Sequence, residues 1–429
     1  MFHVEQQAPR ILLRRSNNIR CETIRAPGTS PCSGFSVISL ARYTALLAQP
    51  TLRSAFAASV LGRLPIGIAG LSILMMARDA TGSFASAGVV AAWYVAGLAA
   101  TAPVLGRVID RYGPRSTLFC CALAFPSSLA ALVVALSMPA PLWLAFVLAA
   151  GAGAAFPPIT VCMRTFFKLR LKDDSLATAY SLESVLIELI FILGPVLVAM
   201  FVAFASPAAA VLFAAACGCA GTLLFRDSEA LRRWTIVERA DSSLFGPLAE
   251  PGFVPLLAVI LCYATSFGLV EIGTIAFATE LNNDALAGVL LGIMSIGSAA
   301  GGIVYGSRSW RLPLARQFPL MLALMGLCVG PLALWSSSWA FGIWCLVAGI
   351  AMAPALIMQS MLVARNARPE YSTEAFTWST TGLLAGVGVG LTAGGLLLEH
   401  ARSPAVFAAA TALAIAAGAM SLLLVKIRN

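Results

Sequence analysis

Twelve separate runs of mostly apolar residues, each long enough to cross a lipid bilayer as a helix, follow one another along this 429-residue chain. A membrane helix needs about 20 such residues. They occur at 54–77, 84–106, 116–137, 141–164, 176–200, 203–225, 253–279, 285–306, 314–336, 339–364, 374–398 and 404–425. A soluble fold would require each helix to carry a polar face, and these runs have none. Only 11% of the residues are charged, against about 25% in soluble chains. The backbone of a spanning segment must satisfy its own hydrogen bonds, so the expected class is an all-α membrane protein with twelve transmembrane helices.

The formal charge of +9 would suggest a nucleic-acid partner in a soluble chain, but the positions of the charges argue otherwise. With the first residues placed in the cytoplasm, every one of the 28 Lys and Arg falls on that side except Arg63, inside a span, and Arg78 and Arg402, in opposite loops. That asymmetry follows the positive-inside rule. It predicts a multi-pass protein of the inner (plasma) membrane with both termini cytoplasmic, a lipid bilayer as its surroundings and no nucleic acid. Residues 1–50 are polar and basic with no compact apolar core, which excludes a secretory signal and reads as a disordered cytoplasmic tail; initiation nearer Arg42 is compatible with this. Ten Cys without a CxxC and only two His give no metal site and no cofactor. With no phosphate-binding loop and no nucleophile motif, neither an enzyme nor a built-in ATPase is expected.

The chain repeats itself. Ala87, Gly88, Val89, Gly97, Ala99, Ala100, Val104 and Gly106 recur in register as Ala287, Gly288, Val289, Gly297, Ala299, Ala300, Val304 and Gly306. Leu148, Ala150, Gly151 and Ala155 recur as Leu346, Ala348, Gly349 and Ala353. The expected organisation is a six-helix bundle over 51–225, a cytoplasmic linker over 226–252 and a second, pseudo-symmetric six-helix bundle over 253–429. Parallel repeats of this kind build transporters that rock about a central site.

The second and third spans are joined by Gly106-Arg107-Val108-Ile109-Asp110-Arg111-Tyr112-Gly113-Pro114-Arg115. This resembles the G-x-x-x-D-R-x-G-R/K-R signature of the major facilitator superfamily. Gly106, Asp110, Arg111, Gly113 and Arg115 match it, and Pro114 departs. The resemblance implies that Asp110 faces the start of the eleventh helix and holds the cytoplasmic side shut in one conformation. The equivalent second-half loop keeps Gly306, Arg308 and Arg311 but has Trp310 in place of the acid, so any such latch is asymmetric. In the fifth span, Gly194-Pro195 resembles part of the family's antiporter motif, which favours export; a packing kink accounts for it equally.

Ionisable residues inside spans are functional candidates by default. Arg63 lies about 13 Å into the first span and Glu188 about 18 Å into the fifth, depths that allow them to pair. Glu183 is shallower and about 140° around the helix from Glu188; it reads either as part of the pathway or as a solvated residue near the interface. Glu271, in the seventh span, is the better proton carrier, since a low-dielectric cavity favours its neutral form.

The resemblance and the charges together imply a proton-coupled secondary transporter that exports a small molecule by alternating access. Arg63 would bind an anionic group or pair with Glu188. Two alternatives remain: uptake of an organic acid or sugar, and a non-transporting membrane sensor.

Overall fold

The computed structural model describes residues 40–427 apart from 139, 233, 235–245, 284 and 335–336. Among the described residues twelve helices are long and apolar enough to cross a membrane. They are α1 (Pro50–Thr81), α2 (Ser86–Tyr112), α3 (Pro114–Ser137), α4 (Leu142–Arg170), α5 (Ser175–Phe204), α6 (Pro207–Arg226), α7 (Phe253–Glu280), α8 (Leu286–Ser307), α9 (Leu314–Leu334), α10 (Ser338–Asn366), α11 (Pro369–Leu398) and α12 (Ser403–Leu422).

Local chemistry sets their ends. Pro opens the first turn of α1, α3 and α6, where its missing N–H removes nothing a helix would use. Ser83 and Ser206 cap α2 and α6 by accepting from the backbone N–H of Ser86 and Ala209. Between α2 and α3 the chain turns at Gly113 with φ 83°, a left-handed conformation that glycine adopts without steric penalty. Proline also interrupts spans from within. The α1 helix is broken at Leu64, ahead of Pro65, and α4 is broken between Ala154 and Ile159, across Pro157-Pro158. Its repeat counterpart α10 is broken between Gly349 and Met352. Neighbouring helices satisfy the freed backbone groups of such breaks.

The fold is two pseudo-symmetric six-helix bundles. In the first, α1 packs on α5 and α6, α2 on α4, and α3 on α6. In the second, α7 packs on α11 and α12, α8 on α10, and α9 on α12. The recurring glycines bring the same pair of helices together in each bundle. A side chain at Gly97 would run into the carbonyl of Ala150 on α4, and one at Gly297 into the carbonyl of Leu346 on α10. Small residues allow such backbone-to-backbone approach in membranes. Gly97→Leu is therefore expected to destabilise the chain by about 1–3 kcal/mol through overpacking, read as a lower unfolding temperature in detergent. Gly88→Leu, at a position open to at least 4 Å, should leave it unchanged.

Among the described residues the core shared by the two bundles lies at one end. One buried core takes Phe56, Phe167 and Tyr180 from the first bundle together with Tyr263, Tyr305 and Phe376 from the second. It lies toward the end that carries the basic loops, called here the basic end. Toward the far end each bundle has a separate core, one around Ile73, Val90 and Phe125 and one around Phe277, Phe341 and Phe407.

The disordered tail expected over 1–50 is corrected at its end. Leu40–Leu47 is helical and buries Tyr43 and Leu46 against the bundles, because Tyr43, Leu46 and Leu47 share one helical face. The rest of the tail, with Cys21 and Cys32, lies outside the described residues. The linker is not featureless either. Glu229–Arg232 and Gly246–Ala249 form short helical turns, and the second of these packs on α7 and α11.

Candidate functional site

Two seams close the basic end. In the first, α2 meets α11. The Asp110 carboxylate accepts hydrogen bonds from the backbone N–H of Thr373 at 3.0 Å and of Glu374 at 2.8 Å, in the first turn of α11. An anion there also suits the positive end of a helix dipole. Arg107 Nη2 pairs with Glu374 Oε1 at 2.6 Å, and Lys168 Nζ donates to Ser372 Oγ and to the Ala367 carbonyl, each at 2.7 Å. Gly106 makes the approach possible, since a side chain there would meet Thr377 Oγ1 at 2.5 Å. The other signature residues stand back from α11. Arg111 lies over the ring of Tyr112, and Arg115 forms a 3.5 Å pair with Asp227 in which both groups are half exposed, a geometry worth little.

The second seam joins α5 to α8 with no acid at the loop. Thr178 Oγ1 donates to the Gly306 carbonyl at 2.8 Å, Ser181 Oγ donates to the Gly302 carbonyl at 2.5 Å, and Ser298 Oγ donates to Glu188 Oε1 at 2.7 Å. Thr178, Ser181 and Glu188 share one face of α5, while Gly306, Gly302 and Ser298 step back along α8 at helical spacing. Tyr43, on the short helix before α1, reaches both sides of this seam. Its hydroxyl lies 2.8 Å from Ser181 Oγ and 2.9 Å from the Ile303 carbonyl, and its single proton serves one of these acceptors at a time.

A buried ionic cluster lies inside the first bundle. Arg63 Nη2 stands 3.2 Å from Glu183 Oε1, and Arg164 Nε donates to Glu183 Oε2 at 3.1 Å. This corrects the expected pairing and removes one of the two readings of Glu183. Arg63 pairs with Glu183 rather than Glu188, and Glu183 is fully buried rather than solvated. The reason is rotational. The face of α5 that meets α1 carries Ile190 and Gly194, which abut Gly67; Glu183 is on that line and Glu188 is turned toward α8. An Arg side chain on a helix also leans toward the helix start, which brings Arg63 down to Glu183. Gly194 is occupied by this contact with Gly67, and α5 runs on unbroken through Pro195.

The Arg63–Glu183 contact is close but badly aligned for a hydrogen bond. Arg63 Nε, Nη1 and Nη2 therefore have no hydrogen-bond partner, although the residue is 1% exposed. Arg164 was not among the residues the sequence singled out, because it falls at the expected end of the fourth span. Here α4 continues to Arg170, which places Arg164 within it, 12% exposed. A basic residue one helical turn before Lys168, on the same face, was the available signal. Facing the cluster, the ring of Tyr180 on α5 meets that of Phe376 on α11, with centroids 6.3 Å apart. Behind Phe376, Tyr263 and Gln359 hydrogen-bond, and Gln359 Nε2 donates to Ser379 Oγ at 2.6 Å.

Glu271 stands apart from all of these. On α7, the side bearing Ala264, Thr265 and Gly268 packs on α11, and the side bearing Cys262, Ser266 and Gly273 packs on α12. The remaining face carries Ile260 and Phe267, which belong to or pack against the shared core, and then Glu271, which is exposed. Glu271 is thus one helical turn beyond Phe267, which packs against the shared core. Among the described residues no group of three or more His, Cys, Asp or Glu could hold a metal ion.

Two membrane bundles, sealed together at one end and separate at the other, form the architecture of a secondary transporter. The model of the Major Facilitator Superfamily matches residues 55–277, just over half of the chain. This chain belongs to that superfamily. Among solved structures, a bacterial homologue of the iron transporter ferroportin in an outward-facing state matches with a TM-score of 0.74 at 14% identity, over 87% of this chain and 99% of that one. The human organic anion transporter MFSD10 (TETRAN) matches with a TM-score of 0.66 at 18% identity, over 86% and 99%. At these identities the likeness is one of fold. No curated sequence matches the chain.

Proposed function

We propose that this chain is a proton-coupled secondary transporter that moves a small organic molecule across the plasma membrane by alternating access. In this reading the basic end is cytoplasmic, both termini lie on that side, and the structure is the state open to the outside. The observation that supports it is one-sided closure: a core common to both bundles at the basic end and independent cores at the far end. Asp110 on α11 and the α5–α8 ladder are the contacts that must break for the opposite state to form. In this reading Glu271, one turn beyond the shared core, and Glu188, within a seam, are the carboxyl groups that exchange a proton between the two sides. Export is the direction favoured by Gly194-Pro195.

The test is flux in liposomes under an imposed pH gradient, with organic cations, organic acids and sugars as cargo. Substrate-dependent proton movement is expected, and its sign relative to substrate gives the direction. Glu271→Gln is expected to abolish proton movement while leaving substrate exchange between the two sides of the membrane. Substrate flux indifferent to the gradient would remove the proton role of Glu271. No flux of any compound by folded protein would remove the transporter reading in favour of a sensor.

A further inference from the structure

The ionic cluster holds more positive charge than its own acid neutralises, and its most buried member has unused donors. Two guanidinium groups, Arg63 and Arg164, share the single carboxylate of Glu183. Arg63 is 1% exposed, and Nε, Nη1 and Nη2 all lack a hydrogen-bond partner. Buried polar groups in proteins are nearly always satisfied, and a buried guanidinium with open donors is costly unless something fills them. Arginine presents its donors as a planar fork that matches the two oxygens of a carboxylate or the oxygens of a phosphate. The cluster also borders the junction of the bundles through Tyr180 and Phe376, and Arg63 sits immediately before the break in α1 at Leu64, where the helix can yield to admit a ligand.

We infer that Arg63 and Arg164 form the subsite for the cargo's head group, and that this head group carries one negative charge. The inference rests on the transporter reading above and narrows its cargo to organic monoanions. The Arg63 fork receives the anion, Arg164 shares it, and Glu183 holds the two arginines in place and limits the site's net charge to that of a single anion. A neutral or cationic cargo of the same size leaves the excess positive charge of the cluster unneutralised. Tyr180 and Phe376 supply apolar rings beside the head group.

The test is equilibrium binding of radiolabelled benzoate to the full chain in detergent, in chloride-free buffer, with acetate and dimethyl phosphate as competing monoanions and benzamide as the neutral match. Saturable benzoate binding is expected, displaced by the monoanions and not by benzamide. Arg63→Gln leaves Glu183 paired with Arg164 and is expected to weaken binding by about tenfold or more. If that variant is not monodisperse, Arg63→Lys serves in its place, since it keeps the charge but loses the fork; it too is expected to weaken binding. Absence of saturable binding of any of the three anions, or benzoate binding unchanged in the folded Arg63 variant, overturns the inference. Binding requires no flux, so anion binding by a chain that transports nothing supports the subsite and removes the transporter reading. Flux of neutral compounds with no anion binding does the reverse.

Discussion

Glu183→Ala is expected to cost about 3–5 kcal/mol of stability. Glu183 is fully buried and is the only carboxylate in contact with Arg63 and Arg164 among the described ion pairs. Removing it leaves two guanidinium groups inside the bundle with no counter-charge and a cavity where the carboxylate was. The loss should appear as a lower unfolding temperature and poor recovery of folded protein. Replacing all three residues with leucine is expected to restore most of the stability, because apolar packing commonly equals or exceeds a buried ionic cluster. A single-residue loss well below 1 kcal/mol would show that water reaches the cluster and that its charges are not buried in the membrane-embedded protein.

Asp110→Asn is expected to move the chain away from the closed basic end. Both Asp110 oxygens accept backbone N–H groups of α11, and hydrogen bonds to a charged group contribute about 1.5–3 kcal/mol each. Asparagine keeps one acceptor and turns an NH2 toward the second N–H. Loss of one bond lowers the weight of the closed state about ten- to a hundredfold. Spin labels at Tyr112 and Glu370, on a cysteine-free background, should report a second, longer distance in the variant. An unchanged distance distribution would show that the α5–α8 ladder holds the end shut without Asp110. The α5 counterpart, Thr178→Val, loses one neutral hydrogen bond and should shift the same distance much less.

The spans were legible because hydrocarbon imposes a length and excludes charge, a constraint each segment shows by itself. The repeat was legible because backbone contact between helices demands glycine, and Gly97 and Gly297 meet that demand at the same place in each bundle. Asp110 was legible through family resemblance, not through periodicity. The pairing of Arg63 was not. Depth along a helix can be counted from a sequence, and depth favoured Glu188. Rotation about the helix axis decides which side chains meet, and it depends on which neighbour each face receives. Glu183 and Glu188 were correctly separated around α5, but only the Gly67–Gly194 contact shows which of them faces α1. Arg164 is hidden by a related difficulty: the apolar run ends before the helix does, so a buried charge reads as part of the loop.

The small helix ahead of α1 carries a consequence for handling this protein. The Tyr43 hydroxyl is within hydrogen-bond distance of Ser181 of one bundle and of the Ile303 carbonyl of the other. Burial raises the pKa of its hydroxyl, an effect partly offset by the bond to Ser181, so it remains a donor throughout the physiological range. The Leu40–Leu47 helix is therefore tethered to the α5–α8 seam, which in the proposed function must part during each cycle. A fluorophore on this helix becomes a gauge of which mouth is open. A bulky fusion or antibody fragment clamped there acts as a brake on turnover without touching the cargo path.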